Sequence, residues 1–184
     1  MNIDTNCYLT LKVLFWKHVN SYYVIKGCGI FPNSICYPKD KVKYIFGLDW
    51  CREVLEVGII TNSLPNSRLA LMDCNNIEFN DNAFDTVVDC FGFHCNIDYP
   101  KQYSEMKRVC KLGGKILLLE IGESLWISTR YKDIRRSEKE FAENGQILIH
   151  NYNDLIMTDG DVRVLKSKRK LNGKLFYYVL EKIK

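Results

Sequence analysis

The chain has 184 residues, 47% of them hydrophobic, with 26 basic and 22 acidic side chains for a net charge of +4. That is enough apolar material for one domain with a real core, and the mixed charge excludes a polycation or a disordered acidic chain. No apolar stretch is long enough to cross a bilayer, and the amino terminus lacks the basic start and small-residue cleavage site of a secretory signal.

Residues 1–21 carry an aromatic and aliphatic middle, which predicts a first helix packed on a sheet. Tyr22 to Lys26 then reads as a short apolar strand that ends at Gly27, Cys28 and Gly29. A second strand over Lys43 to Leu48 ends at Asp49, and a short helix around Cys51 to Val57 turns Val54 and Leu55 inward. A third strand, Arg68 to Met72, ends at Asp73, and a fourth, Phe84 to Val88, ends at Asp89. Between Tyr99 and Lys111, Tyr103, Met106, Val109 and Cys110 recur at helical spacing, and Gly113 and Gly114 read as the helix C-cap. A fifth strand follows from Lys115 to Ile121.

The fourth and fifth strands are apolar on both faces, which places them inside a parallel sheet covered by helices. Beyond them a charged helix over Tyr131 to Glu143 and a short helix over Asn153 to Met157 are expected. Val162 to Lys170 and Lys174 to Lys182 flank Asn172 and Gly173, a strong hairpin signal. The expected architecture is a three-layer α/β fold: a mostly parallel seven-stranded sheet with an antiparallel hairpin at its carboxyl terminus. One domain spans 1–184, divided into a helix (1–21), a core (22–123), an insertion with a helix (124–160) and the hairpin (161–184).

In open sheets of this kind ligands sit at the carboxyl ends of the strands, which puts Asp89, Cys90 and His94 where a ligand is expected. Eight cysteines are present, at 7, 28, 36, 51, 74, 90, 95 and 110, with no C-x-x-C pair. They read as reduced small hydrophobes without a metal, implying an intracellular compartment.

The residues in this order resemble the class I S-adenosylmethionine-dependent methyltransferases: G-C-G after strand one, acids after strands two and three, F-D-T-V-V, then E-M-K-R-V-C-K-x-G-G-K-I-L-L-L-E. The similarity covers about Tyr22 to Lys182, and is nearest to the group containing the ubiquinone and menaquinone biosynthesis C-methyltransferases and methyltransferase-like proteins of animal organelle membranes. It implies a Rossmann-like fold and S-adenosylmethionine as cofactor.

The glycine turn 27–29, with Cys28 within it, would approach the methionine part, where a side chain would collide. Asp49, 20 residues after Gly29, would accept both ribose hydroxyls, as the acid of the dinucleotide fold does. Trp50 would wall the adenine, Asp73 would meet its amino group, and Cys74 would offer a backbone amide. Cys90 to His94 would line the methyl-transfer side, with His94 as the sole catalytic candidate, and Trp126, Tyr152 and His94 are candidates to touch the acceptor. The chain departs from the family pattern at Ile25 and Phe31, where an acid and a glycine usually stand.

Other roles are open for the same residues. Asp49 can cap the helix that follows, Asp73 with Asn75 can be turn chemistry, and His94 can be a satisfied polar residue at a pocket rim. Lys166, Lys168, Arg169, Lys170 and Lys174, with Arg130, Lys132, Arg135 and Arg136, form a basic set suited to protein or RNA contact, or simply to a solvated edge. Two functions follow: methyl transfer to a small or macromolecular acceptor, or an inactive methyltransferase-like assembly subunit, for instance of a ribonucleoprotein. The compartment expected is cytoplasmic or mitochondrial.

Overall fold

In a computed structural model of the chain, the residues described are 22–26, 43–53, 55–56, 67–90, 92–93, 96, 98–121, 152–170 and 175–184. The expected helices over 1–21 and Tyr131–Glu143, the Gly27–Gly29 turn, Phe31, His94, Trp126 and the Asn172–Gly173 turn lie outside them.

Seven strands form one sheet in the order β3-β2-β1-β4-β5-β7-β6. They are β1 (Tyr22–Lys26), β2 (Tyr44–Asp49), β3 (Ser67–Leu71), β4 (Phe84–Cys90), β5 (Cys110–Ile121), β6 (Val162–Lys170) and β7 (Leu175–Lys182). β1 to β5 are parallel, whereas β7 runs antiparallel to β5 and to β6. The expected mixed sheet with a terminal hairpin is therefore present. Because Ile121 and Lys170 both register with Leu175, the turn end of the hairpin lies at the edge where the parallel strands finish.

Helix α1 (Tyr99–Val109) makes the crossover between β4 and β5. Asp98 caps it by accepting from the Lys101 N–H, Pro100 occupies its first turn, and Lys107 and Arg108 meet the negative end of its dipole. Tyr103, Met106 and Val109 are buried against Val87, Ile116 and Leu118 of the sheet, where Ile156 of the short helix α2 (Tyr152–Met157) joins them. The other face is buried too, through Thr86, Val88, Leu117, Tyr177 and Val179, so the central strands are apolar on both sides.

Two expectations are corrected: β4 continues through Asp89 to Cys90 rather than stopping at Val88, and the junction of α1 with β5 moves. The helix stops at Val109 rather than Lys111, and β5 begins at Cys110 rather than Lys115. Gly113 and Gly114 are not a helix cap but the bend of a bulge, because Phe84 pairs with Cys110 while Thr86 pairs with Lys115. Gly113 has φ +74°, and a Cβ on Gly114 would lie 2.7 Å from the Lys111 carbonyl oxygen and 2.8 Å from the Cys110 sulfur, so both positions require glycine.

Arg108 ties α1 to the loop between β3 and β4. Its guanidinium donates to the carbonyls of Ile77 (2.6 Å) and Phe79 (2.7 Å) and to both carboxylate oxygens of Glu105 (2.7 and 2.8 Å), while Glu105 accepts the Ile77 N–H at 2.8 Å. Arg108 holds the Glu105 carboxyl below its ordinary pKa, helped by that N–H. A depressed carboxylate stabilises the fold above its unfolded pKa, and that stabilisation disappears as pH falls through the folded value. Arg108→Lys, which cannot reproduce the planar fork, is expected to cost about 2 kcal/mol at neutral pH. Urea melts should show the deficit shrinking in acid; a deficit that does not change with pH would mean that the Glu105 charge is not involved.

Candidate active site

Strands β1 to β4 bring their carboxyl ends to one edge, and the strand order reverses direction between β1 and β4. In open α/β sheets the crevice at such a reversal is where a ligand binds. Asp49 ends β2, half-buried, and its Oδ1 accepts the Cys51 N–H at 3.0 Å, the capping bond expected of a short acid before a helical turn. Beside it, Asp73 lies two residues past the end of β3, and its Oδ1 accepts the Asn75 N–H at 2.8 Å in an Asx turn. A carboxylate offers about four lone-pair sites, so the Asn75 N–H leaves Asp73 further acceptor capacity. Trp50 is 83% exposed.

The loop after β4 is held from two sides. Asp89 is fully buried and its Oδ2 accepts the Gly92 N–H at 3.3 Å, while Glu120, also buried near the end of β5, accepts the Phe93 N–H at 3.0 Å through Oε1. Phe93 then packs on Tyr99, Tyr103 and Tyr152, with ring centroids 5.7 to 6.2 Å apart. Burial, and then the charges of Asp89 and Glu120, push the Cys90 thiol far up. The thiol therefore stays protonated at neutral pH.

A chain of amides joins this loop to the one after β3. The Asn96 Nδ2 group donates to Asn75 Oδ1 at 2.8 Å and to Gln102 Oε1 at 2.6 Å, and Gln102 is fully buried on α1. Among the described residues no group of three His, Cys, Asp or Glu side chains is placed to hold a metal. Cys51, Cys74, Cys90 and Cys110 form no disulfide among the described residues.

The sequence profile of the methyltransferase domain family matches residues 26–118, just over half of the 184. The chain belongs to this methyltransferase family. It is similar to a demethylmenaquinone methyltransferase of a Geobacillus species, 37% identical over 89 residues, covering 47% of this chain and 38% of the relative. It is also similar to a ubiquinone/menaquinone biosynthesis C-methyltransferase of a Geobacter species, 38% identical over 101 residues, covering 53% and 43% respectively. The chain thus spans about two-fifths of the length of these relatives. Its fold matches that of an S-adenosylmethionine dependent methyltransferase from Mesorhizobium loti with a TM-score of 0.72 at 10% identity, over 94% of this chain and 96% of the other.

In this methyltransferase domain, Asp49, Trp50, Asp73, Cys74 and Cys90 lie at the carboxyl-end edge of the parallel strands, while the Gly27–Gly29 turn and His94 fall outside the described residues. Ile25 lies within β1, paired with Gly47 and Val88. Glu120, Asn96 and Gln102 are additions that the sequence reading missed. Glu120 repeats a visible pattern, an acid closing an apolar strand, whereas Asn96 and Gln102 find each other only in three dimensions.

Proposed function

We propose that this domain binds S-adenosylmethionine across the carboxyl ends of β1 to β4 and transfers its methyl group to an acceptor seated by the loop after β4. The observation that carries this reading is the placement of Asp49 at the end of β2 and Asp73 just past the end of the neighbouring β3, on the same edge as the reversal between β1 and β4, within a family whose relatives are named methyltransferases. The residues suit the cofactor: two carboxylates are acceptors for a ribose diol and an adenine amino group, and Cys74 follows Asp73 where a backbone amide can meet the ring. Bound there, the cofactor supplies a methyl group on a sulfonium, already a good leaving group.

The chain's own contribution is alignment and exclusion of water, which can lower a barrier by several kcal/mol. Asp89 and Glu120 fix the backbone of the acceptor loop through the Gly92 and Phe93 N–H groups, and the cluster of Phe93, Tyr99 and Tyr152 closes its underside. A carbon acceptor activated within its own ring needs no general base to attack, and the ring proton it then loses can pass to water; one relative is named a ubiquinone/menaquinone biosynthesis C-methyltransferase. A quinone-type ring is accordingly one candidate acceptor, and His94 and Trp126 are candidate contacts. The second reading, an inactive assembly subunit, draws on Ile25 and Phe31 and on the basic residues of the hairpin.

Calorimetric titration of the purified chain with S-adenosylmethionine is expected to give micromolar binding. A flat titration together with an unchanged melting temperature would discard the catalytic reading in favour of the assembly subunit.

A further inference from the structure

The cations of the hairpin are divided by position. At the end remote from the ligand edge they are engaged: Arg163 pairs with Glu181, which also holds Lys115 of β5, and Lys182 donates to Asn82 and to the Cys110 carbonyl. At the ligand edge, Lys168 and Arg169 have no carboxylate of the described residues within ion-pair distance. Both line a hollow of about 190 Å³, together with Asn153, Ser167, Phe176 and Tyr178. Asn153 accepts the Tyr178 hydroxyl through Oδ1 at 3.2 Å, which leaves its amide nitrogen as a donor. The guanidinium of Arg169 sits over the Phe176 ring, 5.1 Å from the centroid, which orients its fork.

On the face that Phe176 and Tyr178 share, the Arg169 guanidinium, the Asn153 amide nitrogen and the Ser167 hydroxyl can each donate, and the floor is aromatic; Lys168 registers with Tyr177, which turns its side chain to the other face of the strand. Such a set matches a carboxylate or phosphate, which a guanidinium binds through two parallel bonds. The volume is below the range of about 300–1,000 Å³ for a whole small-molecule ligand, so it suits one end of a larger one. The cofactor's own carboxylate is not that end. Its glycine turn follows β1, four strand spacings from β6, or roughly 19 Å at about 4.8 Å per strand. Phe176, by contrast, registers with Glu120 of β5 and with Arg169 of β6, so the hollow opens about 10 Å from the acceptor loop's anchor.

We propose that this hollow seats an acidic group, carboxylate or phosphate, carried by the methyl acceptor. The assignment to the acceptor rests on the methyl-transfer reading; the anion site itself does not. Titrating the full chain with phenyl phosphate and with benzoate, followed by NMR, shows which acid it prefers, and Arg169→Ala is expected to weaken the preferred one at least tenfold. Arg169 is exposed, so this variant is expected to fold, and S-adenosylmethionine affinity should stay within twofold of the parent. Incubation with methyl-labelled cofactor and a small-molecule extract should then give labelled products retained on an anion exchanger, reduced at least tenfold by Arg169→Ala.

Unchanged phenyl phosphate and benzoate binding in Arg169→Ala would overturn the anion site, as would a single-stranded RNA that displaces both probes at far lower concentration. Labelled products that are all uncharged would overturn the acceptor assignment. A chain that binds phenyl phosphate through Arg169 but never binds the cofactor would sink the methyl-transfer reading and leave the anion site intact.

Discussion

Asp49→Asn is expected to weaken S-adenosylmethionine binding by about 10- to 100-fold while leaving the melting temperature almost unchanged. The Cys51 N–H donates to Asp49 Oδ1 at 3.0 Å, and asparagine serves as well as aspartate at a helix N-cap, so the local turn survives. What the substitution removes is the charge and one of two equivalent acceptor oxygens. A ribose diol donating to a carboxylate makes charge-assisted bonds of about 1.5–3 kcal/mol, and each 1.4 kcal/mol or so is a factor of ten in affinity. Asp49→Ala should lose the same affinity and in addition about 1 kcal/mol of stability from the vacated cap. The pair of variants separates the two roles that the sequence left open for this residue. Calorimetry showing that Asp49→Asn binds like the parent would reduce Asp49 to a cap.

The central strands β4 and β5 were legible because burial on both faces makes their runs apolar, and the hairpin was legible because Asn172 and Gly173 separate two strand-like runs. β1 and β6 begin and end where their residues predict, and Asp49 and Asp73 fall at the ligand edge because a polar residue closes each run. The start of β5 was not legible. Lys111 to Gly114 reads locally as a helix ending in glycine, yet pairing of Cys110 with Phe84 draws the segment into the sheet, and the same two glycines serve a bulge. That is a long-range contact overriding a local signal.

Gln102 illustrates a second limit. It interrupts the apolar stripe of α1 and looks solvent-facing in sequence, but it is fully buried because Asn96 donates to it across the loop. The hairpin illustrates a third. Arg163 and Arg169 are equivalent as letters in a basic strand, and only the position of Glu181, opposite the first and far from the second, makes one structural and leaves the other available.

Gly92→Ala should depress methyl transfer about 100-fold, well beyond its effect on cofactor affinity. A Cβ at this position would lie 2.2 Å from Asp89 Oδ1, less than any real contact. Asp89 is a short side chain, fully buried, and its Oδ2 is the acceptor for the Gly92 N–H, so relief must come from the loop. Moving the loop pulls on Phe93, whose N–H is held by Glu120 at 3.0 Å and whose ring is enclosed by Tyr99, Tyr103 and Tyr152. Overpacking of this kind costs about 1–3 kcal/mol of stability. The larger consequence is geometric, because a shift of about 1 Å in a positioning element can cost about 100-fold in rate. Asp49 and Asp73 sit on other loops, so the cofactor should bind within a few-fold of normal. Glu120→Gln provides the contrast, since its Oε1 can still accept the Phe93 N–H and should leave most of the activity. Binding and single-turnover transfer measured side by side decide the matter. If Gly92→Ala loses cofactor affinity and transfer in equal proportion, the loop after β4 belongs to the cofactor pocket rather than to acceptor alignment.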